Sequence, residues 1–98
     1  MNIASDKYIY VYGGFYGNNT TYTASSGTWN GIRYYSGSSG SIQYANISNA
    51  SVGVYAGYSN PVVSYTNISD CGTGVRPFHS NMTLSNSTID NCNYGVYA

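Results

Sequence analysis

Only three carboxylates in this 98-residue chain could do acid–base chemistry: Asp6, Asp70 and Asp90. A catalytic pair of carboxylates must flank the bond that is cleaved. In the repeat that organises the chain, Asp70 and Asp90 fall in adjacent columns of neighbouring units, whose side chains point to opposite faces. Asp70 shares its column with Asn49 and Asn91, which favours an amide ladder at a turn. We therefore expect structural carboxylates and no enzymatic activity.

The sulfur and imidazole groups do not form a metal-binding pattern. His79 is the single histidine, and a metal site needs several ligands at suitable spacing. Cys71 and Cys92 share a column with Ala50, one repeat apart. A separation of about 4.8 Å lies within the Cα window for a disulfide, about 4.4–6.8 Å. A disulfide and a stacked pair of buried thiols both stay open, and we expect no cofactor.

Charge is scarce along the whole chain. Only 6% of the residues are Asp, Glu, Lys or Arg, against about 25% in ordinary domains. Three cations cannot neutralise a phosphate track, so we expect no nucleic-acid partner. No apolar run approaches the length of about 18 residues that a spanning helix needs, so we expect no membrane span. The Asn-, Ser-, Thr- and Tyr-rich composition favours an extracellular or cell-surface protein.

Three stretches of the chain align without a gap at a constant spacing. Their first residues differ by 62 − 41 and by 83 − 62, both 21. One column contains Ile47, Ile68 and Ile89, and another contains Val54, Val75 and Val96. Ile32 precedes Val54 by one position more than this period and marks an earlier, partial copy. The aligned stretches are SIQYANISNASVGVYA (41–56), VVSYTNISDCGTGVRP (62–77) and TLSNSTIDNCNYGVYA (83–98).

The composition of this repeat predicts its structure. Val, Ile, Tyr and Thr favour strands, and the intervening Gly, Asn and Ser favour turns. Helical repeats are longer, at about 33–47 residues, and contain helix formers. We therefore predict an all-β, single-stranded parallel β-solenoid of about 21 residues per coil and roughly four coils. The Ile47 and Val54 columns should point inward, and we expect Tyr44 and Tyr65 on a sheet face or in the interior.

The stretch GTWNGIRYYSGSSGSIQYANISNASVGV (27–54), with its I-x-x-x-x-I-x-x-x-x-x-G-I/V cadence, resembles a known repeat. Residues 27–98 resemble the right-handed parallel β-helix of the pectate-lyase-like superfamily. The resemblance implies a right-handed coil and, in some members, polysaccharide cleavage or surface adhesion. The polygalacturonase-type motifs NTD, DD, GHG and RIK are missing from this sequence.

Residues 1–28 do not align with the repeat. Alternation over residues 8–12 predicts a strand with Ile9 and Val11 on one face. We expect a loop or irregular segment over GGFYGNNTTYTASSG (13–27). The sequence thus predicts an N-terminal segment, 1–28, that acts as a cap or junction, followed by the β-helix coils, 29–98.

One column alternates cations with aromatic rings. Arg33, Tyr55, Arg76 and Tyr97 each follow an inward apolar residue, so they should point outward and could form cation–π stacks. This surface stripe could bind a glycan or a protein partner, or it could simply be a ladder that stabilises itself. Both interpretations stay open.

The chain also contains seven Asn-x-Ser/Thr sequons, which are possible glycan acceptors in a secreted protein. They are Asn18, Asn19, Asn46, Asn49, Asn67, Asn81 and Asn86.

The last four residues, GVYA, repeat residues 53–56 and would begin another coil. Solenoids need a cap or a partner at such an open edge. We therefore expect a non-catalytic extracellular subunit that stacks head-to-tail into a filament. Alternatives are a fragment of a larger secreted β-helix adhesin or polysaccharide-active enzyme, and a carbohydrate-binding module. The expected self-association edge consists of Val96 and Tyr97 against Tyr8, Tyr10 and Tyr12.

Overall fold

The structure, a computed structural model, describes residues 2–11, 13–24 and 26–97. These residues form short strands joined by tight turns, and they contain no helix, hence none that could cross a membrane. The strands are β1 (Asn2–Ile3), β2 (Ile9–Val11), β3 (Gly14–Asn18), β4 (Thr21–Ala24), β5 (Ile32–Tyr34), β6 (Ser39–Gln43), β7 (Asn46–Ser48), β8 (Val52–Gly57), β9 (Val62–Ser64), β10 (Asn67–Ser69), β11 (Thr73–Phe78), β12 (Thr83–Ser85), β13 (Thr88–Asp90) and β14 (Tyr94–Val96).

Every third strand belongs to the same parallel sheet. Within the described ranges, sheet one has the order β1-β4-β7-β10-β13, sheet two β14-β11-β8-β5-β2, and sheet three β12-β9-β6-β3. Each coil thus places one strand in each of three sheets, and successive coils pair in register. Ile47 pairs with Ile68 and Ile68 with Ile89, at the predicted period. The predicted all-β parallel solenoid of about four coils is confirmed.

The core fills the space that the three sheets enclose. Ile47, Ile68, Val54 and Val75 are buried as predicted, whereas Val96 is exposed because β14 is the end strand of its sheet. The polar atoms of the largest buried side chains are bonded. Trp29 donates from Nε1 to the Ser48 carbonyl at 2.8 Å. The buried residues of the core are Val11, Tyr22, Trp29, Ile32, Tyr34, Ile42, Ala45, Ile47, Ala50, Val54, Val63, Ile68, Cys71 and Val75.

The first coil corrects one expectation. The segment 13–27 is not a loop, because it contains β3 and β4, which pair with β6 and β7. Phe15 pairs with Gly40 and Tyr22 with Ile47, so both offsets, 40 − 15 and 47 − 22, exceed the period by four. The extra residues hide the period from an ungapped alignment. The N-terminal strand itself is as predicted, since Ile9 and Val11 both pack against the core.

The turn between sheets one and two uses the same backbone conformation in three coils. Asn49, Asp70 and Asn91 have positive φ values of 56°, 53° and 53°. Asn and Asp tolerate this left-handed conformation better than most residues do. Asn91 donates from Nδ2 to Oδ1 of Asp70 at 3.3 Å, as expected for a ladder. Asn49 instead donates from Nδ2 to Oγ1 of Thr23 at 3.1 Å.

Candidate binding surface

The outward side of sheet two carries a continuous row of rings and guanidinium groups. Strand pairing places Tyr10 beside Arg33, Arg33 beside Tyr55, and Tyr55 beside Arg76. Tyr97 follows β14 and donates its backbone N–H to the Val75 carbonyl at 3.0 Å, which holds it next to Arg76. The row therefore runs along the solenoid axis, across the strands. The four residues of the predicted stripe are thus neighbours across the coils, and Tyr10 extends the row by one coil.

Further rings flank this row, two residues along the chain from its members. Tyr8 meets Tyr10 edge-on at 4.3 Å between ring centroids, and Tyr35 lies 4.5 Å from Tyr10 and 5.5 Å from Tyr55. Phe78 stands two residues beyond Arg76 and is exposed. We call the whole set the aromatic face: Tyr8, Tyr10, Arg33, Tyr35, Tyr55, Arg76, Phe78 and Tyr97.

Both arginines of the aromatic face lie against rings. The Cζ atom of Arg33 is 5.9 Å from the centroid of Tyr8 and 5.5 Å from that of Tyr55. Arg76 lies 5.1 Å from the Tyr97 centroid. Each contact of this kind contributes about 0.5–1 kcal/mol at an exposed site. The Nε of Arg33 also donates to the Asn30 carbonyl at 3.0 Å. These contacts hold the planar guanidinium groups in place. Each guanidinium group carries five N–H donors.

A glycine, which has no side chain, lies in the middle of this surface. Gly57 follows Tyr55 by two residues on β8, and a Cβ at Gly57 would lie 2.9 Å from the Tyr55 hydroxyl. The tyrosine ring therefore lies along its own strand, over the glycine, instead of standing away from the sheet. The glycine thus leaves room for the Tyr55 ring on the surface of sheet two.

The groups that acid–base or metal chemistry would need lie elsewhere. Asp70 and Asp90 occupy the turn side of sheet one, where Asp90 accepts from the Asn91 backbone N–H at 3.0 Å. His79 stacks on Tyr58 with 5.0 Å between ring centroids. The described part of the chain contains no cluster of three His, Cys, Asp or Glu side chains and no enclosed pocket. The arrangement on sheet two is suited to binding on an open surface.

Comparison with known protein families assigns this fold to a family. A family model described as the right-handed β-helix region matches residues 2–98. The chain belongs to the right-handed β-helix family. The match includes the first coil, which the ungapped alignment of the repeats did not cover. Searches of curated proteins and of solved structures found no significant match.

The two cysteines of this β-helix lie one coil apart, and both are free thiols in the structure. Cys71 is buried and donates to the Ser69 carbonyl at 3.2 Å, while Cys92 donates to the Asp90 carbonyl at 3.3 Å. Burial raises the pKa of Cys71 to about 11, and the nearby Cys92 thiol adds to the rise. Since the thiolate is the reactive form, Cys71 should be a slow nucleophile at neutral pH. The disulfide stays a prediction.

The sequons and the expected association edge lie on the surface of the β-helix. All seven sequon asparagines are exposed. Asn46 and Asn67 pair in register, and Asn67 donates from Nδ2 to Oδ1 of Asn46 at 3.2 Å. Tyr8 and Tyr10 lie at the β2 edge of sheet two, and Val96 and Tyr97 lie at its β14 edge. Tyr12, also assigned to that edge, lies outside the described residues.

Four members of the aromatic face, Tyr8, Tyr10, Tyr35 and Phe78, were not part of the stripe that the sequence predicted. Tyr35 and Phe78 follow the stripe residues Arg33 and Arg76 by two positions, so strand alternation puts them on the same side. This signal was present in the sequence. Tyr10 was harder to place, since its strand pairs with the next coil at an offset two longer than the repeat period.

Proposed function

We propose that this right-handed β-helix is a non-catalytic extracellular protein that binds a polysaccharide chain along its aromatic face. The observation that carries the proposal is the unbroken row Tyr10, Arg33, Tyr55, Arg76 and Tyr97 on one sheet. Rings and guanidinium groups alternate in it, coil after coil. The low charge and the seven exposed sequons support a location outside the cell.

The chemistry of the aromatic face fits a sugar. A pyranose ring presents an apolar C–H surface, which packs on the face of a tyrosine, and a rim of hydroxyl groups, which accept from guanidinium and phenol donors. Tyr10 and Tyr97 are 43% and 44% exposed and are open to such packing. Stacking rings also bind single-stranded nucleic acids, but those surfaces need a basic groove. This chain has three Lys and Arg residues in total.

The shape of the aromatic face favours a polymer over a small sugar. The row extends along the solenoid axis, with about 4.8 Å between neighbouring coils. A chain lying along this axis would touch several coils at once, and each added contact increases affinity without a new association cost. Affinity should therefore rise with the length of the oligosaccharide.

Replacing Tyr55 with alanine tests the proposal. We expect at least a tenfold weaker affinity, since Tyr55 stands at the centre of the row and central aromatic residues dominate binding energies. Titration calorimetry against soluble β-glucans, xylan and a polyuronate would measure the loss and distinguish neutral from acidic chains. Tyr10→Ala provides a second, more exposed variant at the end of the row.

Tyr16 supplies the matched control for this test. It is the most exposed tyrosine among those that the structure describes, at 72%, and it lies on β3 of sheet three, away from the aromatic face. Tyr16→Ala should leave affinity unchanged. Equal losses in all three variants, or no binding to any polysaccharide of the panel, would contradict the proposal.

The head-to-tail filament is a second candidate, which the two end faces of the solenoid favour. Ile3, Ile9 and Phe15 are only partly buried at one end, and Leu84 and Ile89 are only partly buried at the other. The end strands of all three sheets have a free edge in the described residues. A second copy could continue the sheets and cover these side chains. Such an interface extends a filament unless its rotation closes a ring.

A charge at the free edge of β14 tests this second candidate. Val96 is 57% exposed, so Val96→Lys should leave the fold intact while an edge lysine opposes pairing with another chain. We expect the variant to need at least tenfold higher concentration to assemble, by light scattering after size-exclusion chromatography. Gln43→Lys places the same charge on an exposed position of β6, which has a paired strand on either side, so this variant should assemble like the parent. A parent chain that stays monomeric throughout the concentration series would rule the filament out.

A further inference from the structure

A second set of aromatic residues lies off the aromatic face, at the turn between sheets three and one. Tyr44 and Tyr65 occupy the same turn position in successive coils. Their rings are nearly parallel, 5.0 Å apart between centroids and 8° between planes. Both side chains are about half exposed, at 55% and 52%. Neither contributes to the core or to the proposed glycan surface.

The backbone at this turn gives an independent reason to consider the pair. Tyr44 and Tyr65 have φ values of 53° and 50°. The equivalent turn residues in the coils on either side, Asn19 and Asn86, have 52° and 48°. Asparagine tolerates this left-handed conformation, whereas a bulky side chain is disfavoured there. A residue kept in a disfavoured conformation points to a role for its side chain.

We propose that Tyr44 and Tyr65 form an oxidative cross-linking site that joins two coils as dityrosine. Each phenol would lose one electron and one proton to a peroxidase-type oxidant, giving two phenoxyl radicals. The radicals combine by a bond between their Cε carbons, and the two Cε hydrogens then move to the oxygens and restore the phenols. The net loss is two hydrogen atoms, which reduce one hydrogen peroxide molecule to two waters.

The fold favours this coupling in two ways. The two rings are nearly parallel with 5.0 Å between their centroids, so side-chain rotation can bring a Cε carbon of one ring to a Cε carbon of the other. The strands beside the rings are fixed in register, since Gln43 pairs with Ser64 and the Tyr44 backbone N–H donates to the Ser64 carbonyl at 3.3 Å. The rings therefore meet repeatedly in the same relative position, and their exposed edges are open to an oxidant.

The cross-link would act on the unfolded chain as a disulfide does. It would close a loop of one coil, between residues 44 and 65, and so reduce the conformational freedom of the unfolded ensemble. Unlike a disulfide, a carbon–carbon bond survives reducing agents. A cross-linked chain should unfold at higher temperature than the parent, and thiol reductants should not reverse the change.

The test treats the intact chain at low concentration with a haem peroxidase and hydrogen peroxide. We expect dityrosine fluorescence in the monomer fraction, and a mass lower by two hydrogen atoms. Tandem mass spectrometry after chymotrypsin should place the bond between Tyr44 and Tyr65. Tyr44→Phe and Tyr65→Phe keep the ring stack but remove one phenol, so each should abolish this cross-linked peptide.

Tyr58 provides the matched control. It stacks on His79 at 5.0 Å and 13°, and both residues have positive φ, but the pair contains only one phenol. Tyr58→Phe should leave the yield of cross-link unchanged. Cross-links that map to the aromatic face, that form only between molecules, or that persist in Tyr44→Phe would overturn the proposal. These readouts do not depend on glycan binding.

Discussion

Replacing Gly31 with alanine is expected to prevent the chain from folding stably. The Cβ of the new residue would lie 1.6 Å from the Val52 carbonyl oxygen, and no side-chain rotation can relieve a clash between two backbones. Gly31 also has a φ of 87°, which L-residues rarely adopt. We expect a loss of more than about 4 kcal/mol in the free energy of unfolding, which few single substitutions reach. Urea unfolding followed by far-ultraviolet circular dichroism measures it.

The control for this substitution is Gly37→Ala. Gly37 has a similar φ of 81°, but a Cβ there meets nothing within 4 Å. Its replacement should lower the free energy of unfolding only by the backbone strain of an L-residue in this conformation, about 1–2 kcal/mol. If both substitutions lowered the free energy of unfolding by a similar amount, the close contact between Val52 of β8 and residue 31 would be contradicted.

The second large effect is expected at Ile68. Ile68→Ala should lower the free energy of unfolding by about 2–5 kcal/mol, because its side chain is fully buried in the middle coils and the surrounding side chains fill such a cavity only in part. The same urea titration applies. A loss well below this range would indicate that the interior is loosely packed or that Ile68 faces outward.

Val62→Ala serves as the matched control for the cavity. Val62 lies on β9 and is 38% exposed, so its truncation creates no enclosed void. Its effect should stay within about 0.5 kcal/mol.

The later coils were predictable in detail because each repeats the same columns at the same spacing. Ile47, Ile68 and Ile89 are aligned by the sequence alone, and strand pairing in the structure joins them. The first coil was not predictable in this way. Its strands pair with the next coil at offsets longer than the repeat period, and such insertions defeat an ungapped comparison.

The aromatic residues show where sequence patterns stop being informative. Alternation from a known inward residue correctly sends Arg33, Tyr55 and Arg76 outward, since strand geometry fixes that choice. Tyr44 and Tyr65, in contrast, were expected on a sheet face or in the interior. They lie at turns instead, because their left-handed backbone interrupts the alternation. Turn positions that Asn occupies in neighbouring coils give no sign that a tyrosine there will stack.

The register between coils gives this protein a way to change the length of its aromatic face in fixed steps. Because the row on sheet two crosses the strands, duplication or deletion of one repeat unit would add or remove one member of the row. The other coils would keep their contacts, since a solenoid coil touches only its neighbours. Each step would alter the reach of the surface by about 4.8 Å. If the aromatic face binds a polysaccharide as proposed, recombination within the gene could match the protein to longer or shorter ligands without a new fold or a new contact chemistry.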